Sequence, residues 1–191
     1  MEVLEVIKRL KKAYPHVKYY LNFSNPLQLM VAAILSAQVR DEVVNALTPR
    51  LFVKYKTAKD YADADLTELT KDISTVTFAG NKARFIKNAC RILVERYDGK
   101  VPKTMEELTE LPGIGRKTAN TILINAYGIV EGIPVDTWVI KLSQQFGWTK
   151  NKDPEKIEQN LMKIIPKRYW HEITYLLKTY GKDKNKPKII G

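Results

Sequence analysis

Leu111-Pro112-Gly113-Ile114-Gly115-Arg116-Lys117-Thr118-Ala119-Asn120 sets two glycines around one apolar residue and then starts a helical pattern. Glycine permits a tight turn and lets backbone N–H groups approach a partner closely. A helix opening at that point adds unpaired N–H donors and a partial positive charge, a combination suited to phosphate. Ala119, Ile122, Leu123 and Ala126 follow at i, i+3, i+4 and i+7, one buried helical face. Lys117 falls in the first turn of this helix, where an anion is the favoured charge. A residue that breaks a local rule is a candidate for function.

Outward from this stretch nearly every segment reads as helix. Val3, Val6, Ile7, Leu10 and Tyr14 make one stripe that ends at Pro15. Asn25-Pro26 is an N-cap followed by proline at the first helical position, opening a helix that buries Leu27, Met30, Val31, Ile34 and Leu35. Asp41 is the expected cap of the next helix, through Val43, Val44, Leu47 and Leu51. Asp65 with Glu68, and Thr104 with Glu107, have capping-box spacing. A long helix is expected over 82–97, closed by Asp98-Gly99. Asp153-Pro154 opens another, and a last one lies near 169–180. Period-2 runs are absent. The fold class is all-α, with about ten short helices. First and last helices that pack together would make the chain two-lobed.

The 191 residues suffice for one good core or two small lobes, and the 45% hydrophobic content argues against disorder. The formal net charge of +11 points to a polyanionic partner or to the lysine-rich surface of a heat-adapted protein. Cys90 is the one cysteine, which excludes an intramolecular disulfide and any four-cysteine metal site. It lies in the apolar pattern Phe85, Ile86, Ala89, Cys90, Leu93, Val94 and reads as a small core residue. With His16 and His171 in unrelated contexts, no metal site is expected. The amphipathic, acidic start is unlike a signal peptide, and no apolar run is long enough to span a bilayer. An intracellular protein of the cytoplasm or nucleoid is expected, with no membrane partner. The stretch 178–191 holds five lysines and one aspartate. It is expected to be mobile or to lie against phosphate.

Ile133-Pro134-Val135-Asp136-Thr137-Trp138 follows the turn-helix unit, and Asp136 sits where an N-cap would sit. Capping alone explains it. Its pairing with Lys117 offers a second reading, in which two helix N-termini meet at one cleft. A partly desolvated amine at a helix N-terminus should have a lowered pKa and act as a nucleophile toward a sugar C1′. A nearby carboxylate could stabilise the positive charge developing there.

The turn, the lysine and the aspartate together resemble the endonuclease III branch of the helix-hairpin-helix DNA glycosylases. Residues 21–26 and 34–38 are similar to that family's N-terminal signature, and 87–93 with Val101-Pro102 to its middle. Leu111 to Asn120 and Val135-Asp136-Thr137 match its hairpin and active-site segments. The resemblance implies a two-lobed fold with the active-site cleft between lobes. One lobe, a helical barrel, would span 22–130 with the hairpin at 104–127, and the other 1–21 plus 131–191. It implies that Lys117 expels a damaged base, forms a Schiff base with the deoxyribose and promotes β-elimination. Asp136 would stabilise the oxocarbenium-like sugar. A base in a duplex must be extruded before reaction. Gln38 would fill the gap and Phe78 would be the opposing wedge; an exposed helix-end amide and core packing are the plainer readings of the two. Gly113 and Gly115 would grip the backbone through their amides, with a monovalent cation expected between hairpin carbonyls and phosphate. Arg116, Lys82 and Arg84 are phosphate contacts or ordinary solvated charges.

Many members carry a [4Fe–4S] cluster on four cysteines, which one cysteine cannot hold. The resemblance therefore implies a cluster-free, monomeric, bifunctional glycosylase and lyase acting on oxidised pyrimidines in double-stranded DNA. The competing readings are a thymine or uracil mismatch glycosylase, which lysine at position 117 disfavours, and a non-catalytic helix-hairpin-helix DNA-binding protein.

Overall fold

In a computed structural model, residues 2–189 are described; Met1, Ile190 and Gly191 lie outside them. Eleven α-helices and one 3-10 turn, with no strand, make up the regular structure among the described residues. None of these helices is long and apolar enough to cross a membrane. The chain divides into two compact units, Tyr20–Gly128 and Met1–Tyr19 with Ile129–Gly191.

The Tyr20–Gly128 unit is built around α2 (Pro26–Leu35). Asn25 caps it by accepting from the Gln28 N–H, and Pro26 takes the first position, where a missing N–H costs nothing. Every residue from Leu29 to Leu35 is buried, so α2 is apolar all round and not the one-sided helix its stripe suggests. That pattern belongs to a helix enclosed by others. Its neighbours are α3 (Asp41–Lys54), α6 (Ala79–Arg96) and α8 (Arg116–Tyr127). Between them run α4 (Ala58–Asp63) and α5 (Leu66–Asp72), both packed on α6, and α7 (Met105–Thr109), packed on α8.

Local rules place most of these boundaries. Asp65 and Thr104 cap α5 and α7 through the Glu68 and Glu107 N–H groups. The fully reciprocal capping box belongs instead to Thr57 and Asp60 at the start of α4, a helix the apolar pattern does not announce. Asp41 is not a cap: Arg40 holds that position without a side-chain bond, and Asp41 is the first helical residue, where its charge suits the helix dipole. Helix α6 starts at Ala79, three residues before the expected 82. Ile86, Ala89, Cys90 and Leu93 are buried along it, while Phe85 and Val94 sit at the edges of that face and stay part-exposed. The thiol of Cys90, enclosed in this core, is pushed up to about 12 by burial.

In the other unit, α1 (Val3–Ala13) packs on α11 (Trp170–Lys182), and α11 on α9 (Thr137–Gln145). Helix α10 (Pro154–Ile164), capped by Asp153, adds Ile157 and Leu161 to the core. Over its described part the segment from Lys178 onward is tied to this unit, against the expectation that it is mobile. Helix α11 runs to Lys182, Tyr14 donates its hydroxyl to Asp183 Oδ2 at 2.8 Å, and Arg9 donates to the Ile189 carbonyl at 3.1 Å. Ile189 itself is buried in the core. The segment's lysine content suggested mobility, but one apolar side chain near its end anchors it. The remainder of that expectation, Ile190 and Gly191, lies outside the described residues.

Candidate functional site

The hairpin opens with a tight turn in which the Ile114 N–H bonds to the Leu111 carbonyl at 3.1 Å. Proline second and glycine third is the composition of a turn that needs a positive φ at its third residue. Gly113 supplies it, with φ +82°. A Cβ at Gly113 would also stand 2.9 Å from Phe85 Cβ, so the turn rests directly on α6. Gly115 is the N-cap of α8 with an ordinary extended backbone and no side-chain cap. Gly113, Gly115, Arg116 and Lys117 are all exposed. Among the described residues neither the Gly113 nor the Gly115 amide is given to another backbone carbonyl.

Lys117 is the second residue of α8, whose first turn contains no acidic residue. Lys117 is an exposed residue. From Ala119 onward the helix turns inward: Ala119, Ile122 and Leu123 are buried, and the Thr121 hydroxyl donates back to the Lys117 carbonyl at 2.9 Å. The amine thus stands on the open end of a helix whose body is fixed in the core.

In the same unit, Gln38 and Phe78 share a conformation. Both are non-glycine residues in the left-handed region, φ 56° and 59°. Each such residue costs of order 1 kcal/mol and persists only where surrounding structure enforces it. Both side chains are exposed, Phe78 by 62%. Core packing for Phe78 is therefore ruled out. The Thr77 hydroxyl donates to the Gln38 carbonyl at 3.3 Å and ties the two segments together.

Lys82 is not a phosphate contact. It is 4% exposed, and its ammonium donates to the Leu35 carbonyl at 2.8 Å and the Ala37 carbonyl at 2.7 Å. Burial pulls its pKa below the ordinary lysine value. Arg84 is exposed and bonds Asn81.

Asp136 belongs to the other unit and is half-buried. It caps α9 with one oxygen: Oδ1 accepts from the Trp138 and Val139 N–H groups, both at 2.9 Å. The segment leading to it is pinned on both sides. The Ile133 N–H donates to the buried Glu158 carboxylate at 3.2 Å, and the Thr174 hydroxyl donates to the Pro134 carbonyl at 2.7 Å. Trp138 packs against Gly181 of α11, where a Cβ would come within 2.2 Å of the ring. Glu158, Thr174 and Gly181 are supporting residues that carry no motif in the sequence; only their contacts identify them.

The residues do not fit an iron–sulfur cluster. The single thiol is buried in α6, and the described residues contain no group of three or more His, Cys, Asp or Glu able to hold a metal ion. No step can run through such a centre.

Residues 31–167 match the model of the HhH-GPD superfamily of base excision DNA repair proteins. Endonuclease III of Synechocystis sp. is 47% identical over 178 residues, covering 93% of this chain and 81% of that protein. Endonuclease III of Bacillus subtilis is 39% identical over 177 residues, covering 92% and 80%. The structure of a trapped endonuclease III–DNA covalent intermediate superimposes with a TM-score of 0.91 at 37% identity, covering 96% of this chain and 88% of that one.

Proposed function

The chain belongs to the HhH-GPD superfamily of base excision DNA repair proteins, and on that premise we propose that it is a bifunctional DNA glycosylase and abasic-site lyase that excises oxidised pyrimidines from duplex DNA. The observation that carries this reading is Lys117, an exposed amine at the second position of α8, directly behind the glycine turn. Gripping phosphate needs the turn and the helix end; it does not need this amine. The trapped relative is a covalent intermediate with DNA, the species a nucleophilic lysine would form.

In this mechanism Lys117 Nζ attacks C1′ as the glycosidic bond breaks, and the base leaves with the bonding electron pair and takes up a proton. The sugar ring opens to an iminium. Loss of a C2′ proton then expels the 3′ phosphate, and hydrolysis of the imine frees the lysine. Lys117 is exposed, and bound DNA would supply the desolvation that makes it nucleophilic. Asp136 Oδ1 is committed to capping; Oδ2 is the oxygen that stabilises the oxocarbenium-like sugar. Gln38 fills the gap left by the extruded base and Phe78 wedges the stack. The amides of Gly113 and Gly115 take a phosphate, with Arg116 beside it. The carbonyls of the exposed turn suit a monovalent cation bridging to that phosphate, on which no step depends. The hairpin-bearing unit is the lobe that grips DNA and the Asp136 unit the second lobe. The protein acts inside the cell, in the cytoplasm or nucleoid, as a monomer.

Incubation with a duplex holding one abasic site tests the reading. Strand scission leaving a 3′ unsaturated aldehyde is expected, abolished in Lys117→Gln with DNA affinity retained. Binding without scission by the wild-type protein would contradict it and favour a binding module. On a second duplex holding thymine or uracil opposite guanine, base release without scission would favour a monofunctional mismatch glycosylase.

A further inference from the structure

We propose that Lys82 is a positioning residue that sets the spacing of Gln38 and Phe78 by fastening the end of α2 to the start of α6. The inference rests on the glycosylase reading above. A lysine on the inner face of a helix normally costs stability, because a buried charge must be compensated. Here the compensation is specific. The Ala32 carbonyl accepts from the Ser36 N–H, and Ala33 from the Ser36 hydroxyl at 2.9 Å. Leu35 and Ala37 are left to the Lys82 ammonium. A cation at that point also suits the negative end of α2.

Lys82 reaches both inserting residues at once. Its ammonium holds the carbonyl of Ala37, the residue before Gln38; its own N–H donates to the Phe78 carbonyl at 3.0 Å and closes the first turn of α6. The Thr77 hydroxyl on the Gln38 carbonyl is a second tie between the same two segments. Both inserting residues hold left-handed backbones that the chain does not favour by itself. The two ammonium bonds and the Thr77 hydroxyl bond bridge the end of α2 and the start of α6. A plain apolar residue at 82 would fill the space and keep the backbone bond to Phe78, but it would make neither ammonium bond. The arrangement makes a rigid two-pronged tool, in which a shift of one prong moves the other.

Extruding a paired base needs both prongs, whereas a preformed abasic site has no base to unstack and asks less of them. The test is therefore a ratio: single-turnover base excision from a fully paired lesion duplex divided by strand cleavage at a preformed abasic site. In Lys82→Met this ratio should fall at least tenfold, and Lys82→Arg, which keeps a long cationic donor, should recover most of it. Thr77→Val removes the exposed second tie without disturbing the core and should lower the ratio about threefold. 2-Aminopurine opposite the lesion should lose its wild-type fluorescence change in Lys82→Met, since that signal follows insertion. Equal losses on both substrates, or a Thr77→Val ratio equal to wild type, would overturn the inference and leave Lys82 a stabilising residue. A wild type inert on both duplexes would overturn the glycosylase reading and this inference with it.

Discussion

Replacing each hairpin glycine with alanine separates what the fold requires from what DNA requires. Gly113 has φ +82°, and a Cβ there would meet Phe85 Cβ, Cγ and Cδ2 at 2.9, 3.1 and 3.2 Å. The left-handed backbone costs an alanine about 1–2 kcal/mol. Overpacking against α6 adds about 1–3 kcal/mol, because Phe85 Cβ is fixed to a helix backbone and cannot swing aside. A total of roughly 2–5 kcal/mol should lower Tm by roughly 4–20 °C for a chain of this size. Gly115 differs in both respects, with an extended backbone and open space around a Cβ. Gly115→Ala should change stability by no more than about 0.5 kcal/mol, a small capping loss offset by reduced freedom of the unfolded chain. In the proposed grip its Cβ would stand where the phosphate approaches the amide. Losing one charge-assisted bond, about 1.5–3 kcal/mol, corresponds to roughly 10- to 150-fold in affinity. Thermal melts followed by circular dichroism read the first effect. Anisotropy with a labelled duplex containing a stable abasic analogue, at fixed salt, reads the second. An unchanged Tm in Gly113→Ala would refute the packing argument, and wild-type affinity in Gly115→Ala would refute the amide grip.

Asp136→Asn keeps an oxygen that caps α9 and should leave Tm within about 2 °C, yet base excision should fall by roughly two to four orders of magnitude; a normal excision rate would reduce Asp136 to a cap. Gly181→Ala should force Trp138 off α11 and lower Tm by roughly 5–10 °C, since a Cβ would lie 2.2 Å from the ring, and a neutral effect in the melt would show that the ring is not seated there. Alkaline stability follows from Cys90, whose pKa rises from 9.0 to about 12 in the folded protein. Above pH 9 the unfolded chain loses this proton while the folded one keeps it, so each further unit of pH costs about 1.4 kcal/mol until the folded thiol titrates. Denaturant midpoints measured from pH 8 to 10 should fall more steeply for the wild-type protein than for Cys90→Ala, and parallel slopes would contradict the burial of the thiol.

What the sequence revealed was local. Asn25-Pro26, Asp65, Thr104 and Asp153 announce helix starts because a cap needs only its next three residues. The hairpin was legible for the same reason: a proline, two glycines and a helical stripe lie within one run of chain. What escaped depends on partners far along the chain. Lys82 looks like a solvated charge until the carbonyls of Leu35 and Ala37, more than forty residues earlier, are placed beside it. Gly181 looks like a poor helix residue until Trp138 is packed against it. The left-handed backbones of Gln38 and Phe78 carry no signature, since neither residue type favours that conformation. Asp136 was readable as a cap, and the structure shows it capping; its chemical role rests on the family.

In the proposed mechanism Lys117 forms the covalent bond to DNA. Borohydride reduction during reaction with an oxidised-pyrimidine duplex, followed by proteolysis and mass spectrometry, identifies the residue that does so. One DNA adduct is expected, on the peptide containing Lys117, and none in Lys117→Gln. An adduct on another lysine, or trapping that survives in Lys117→Gln, would contradict it.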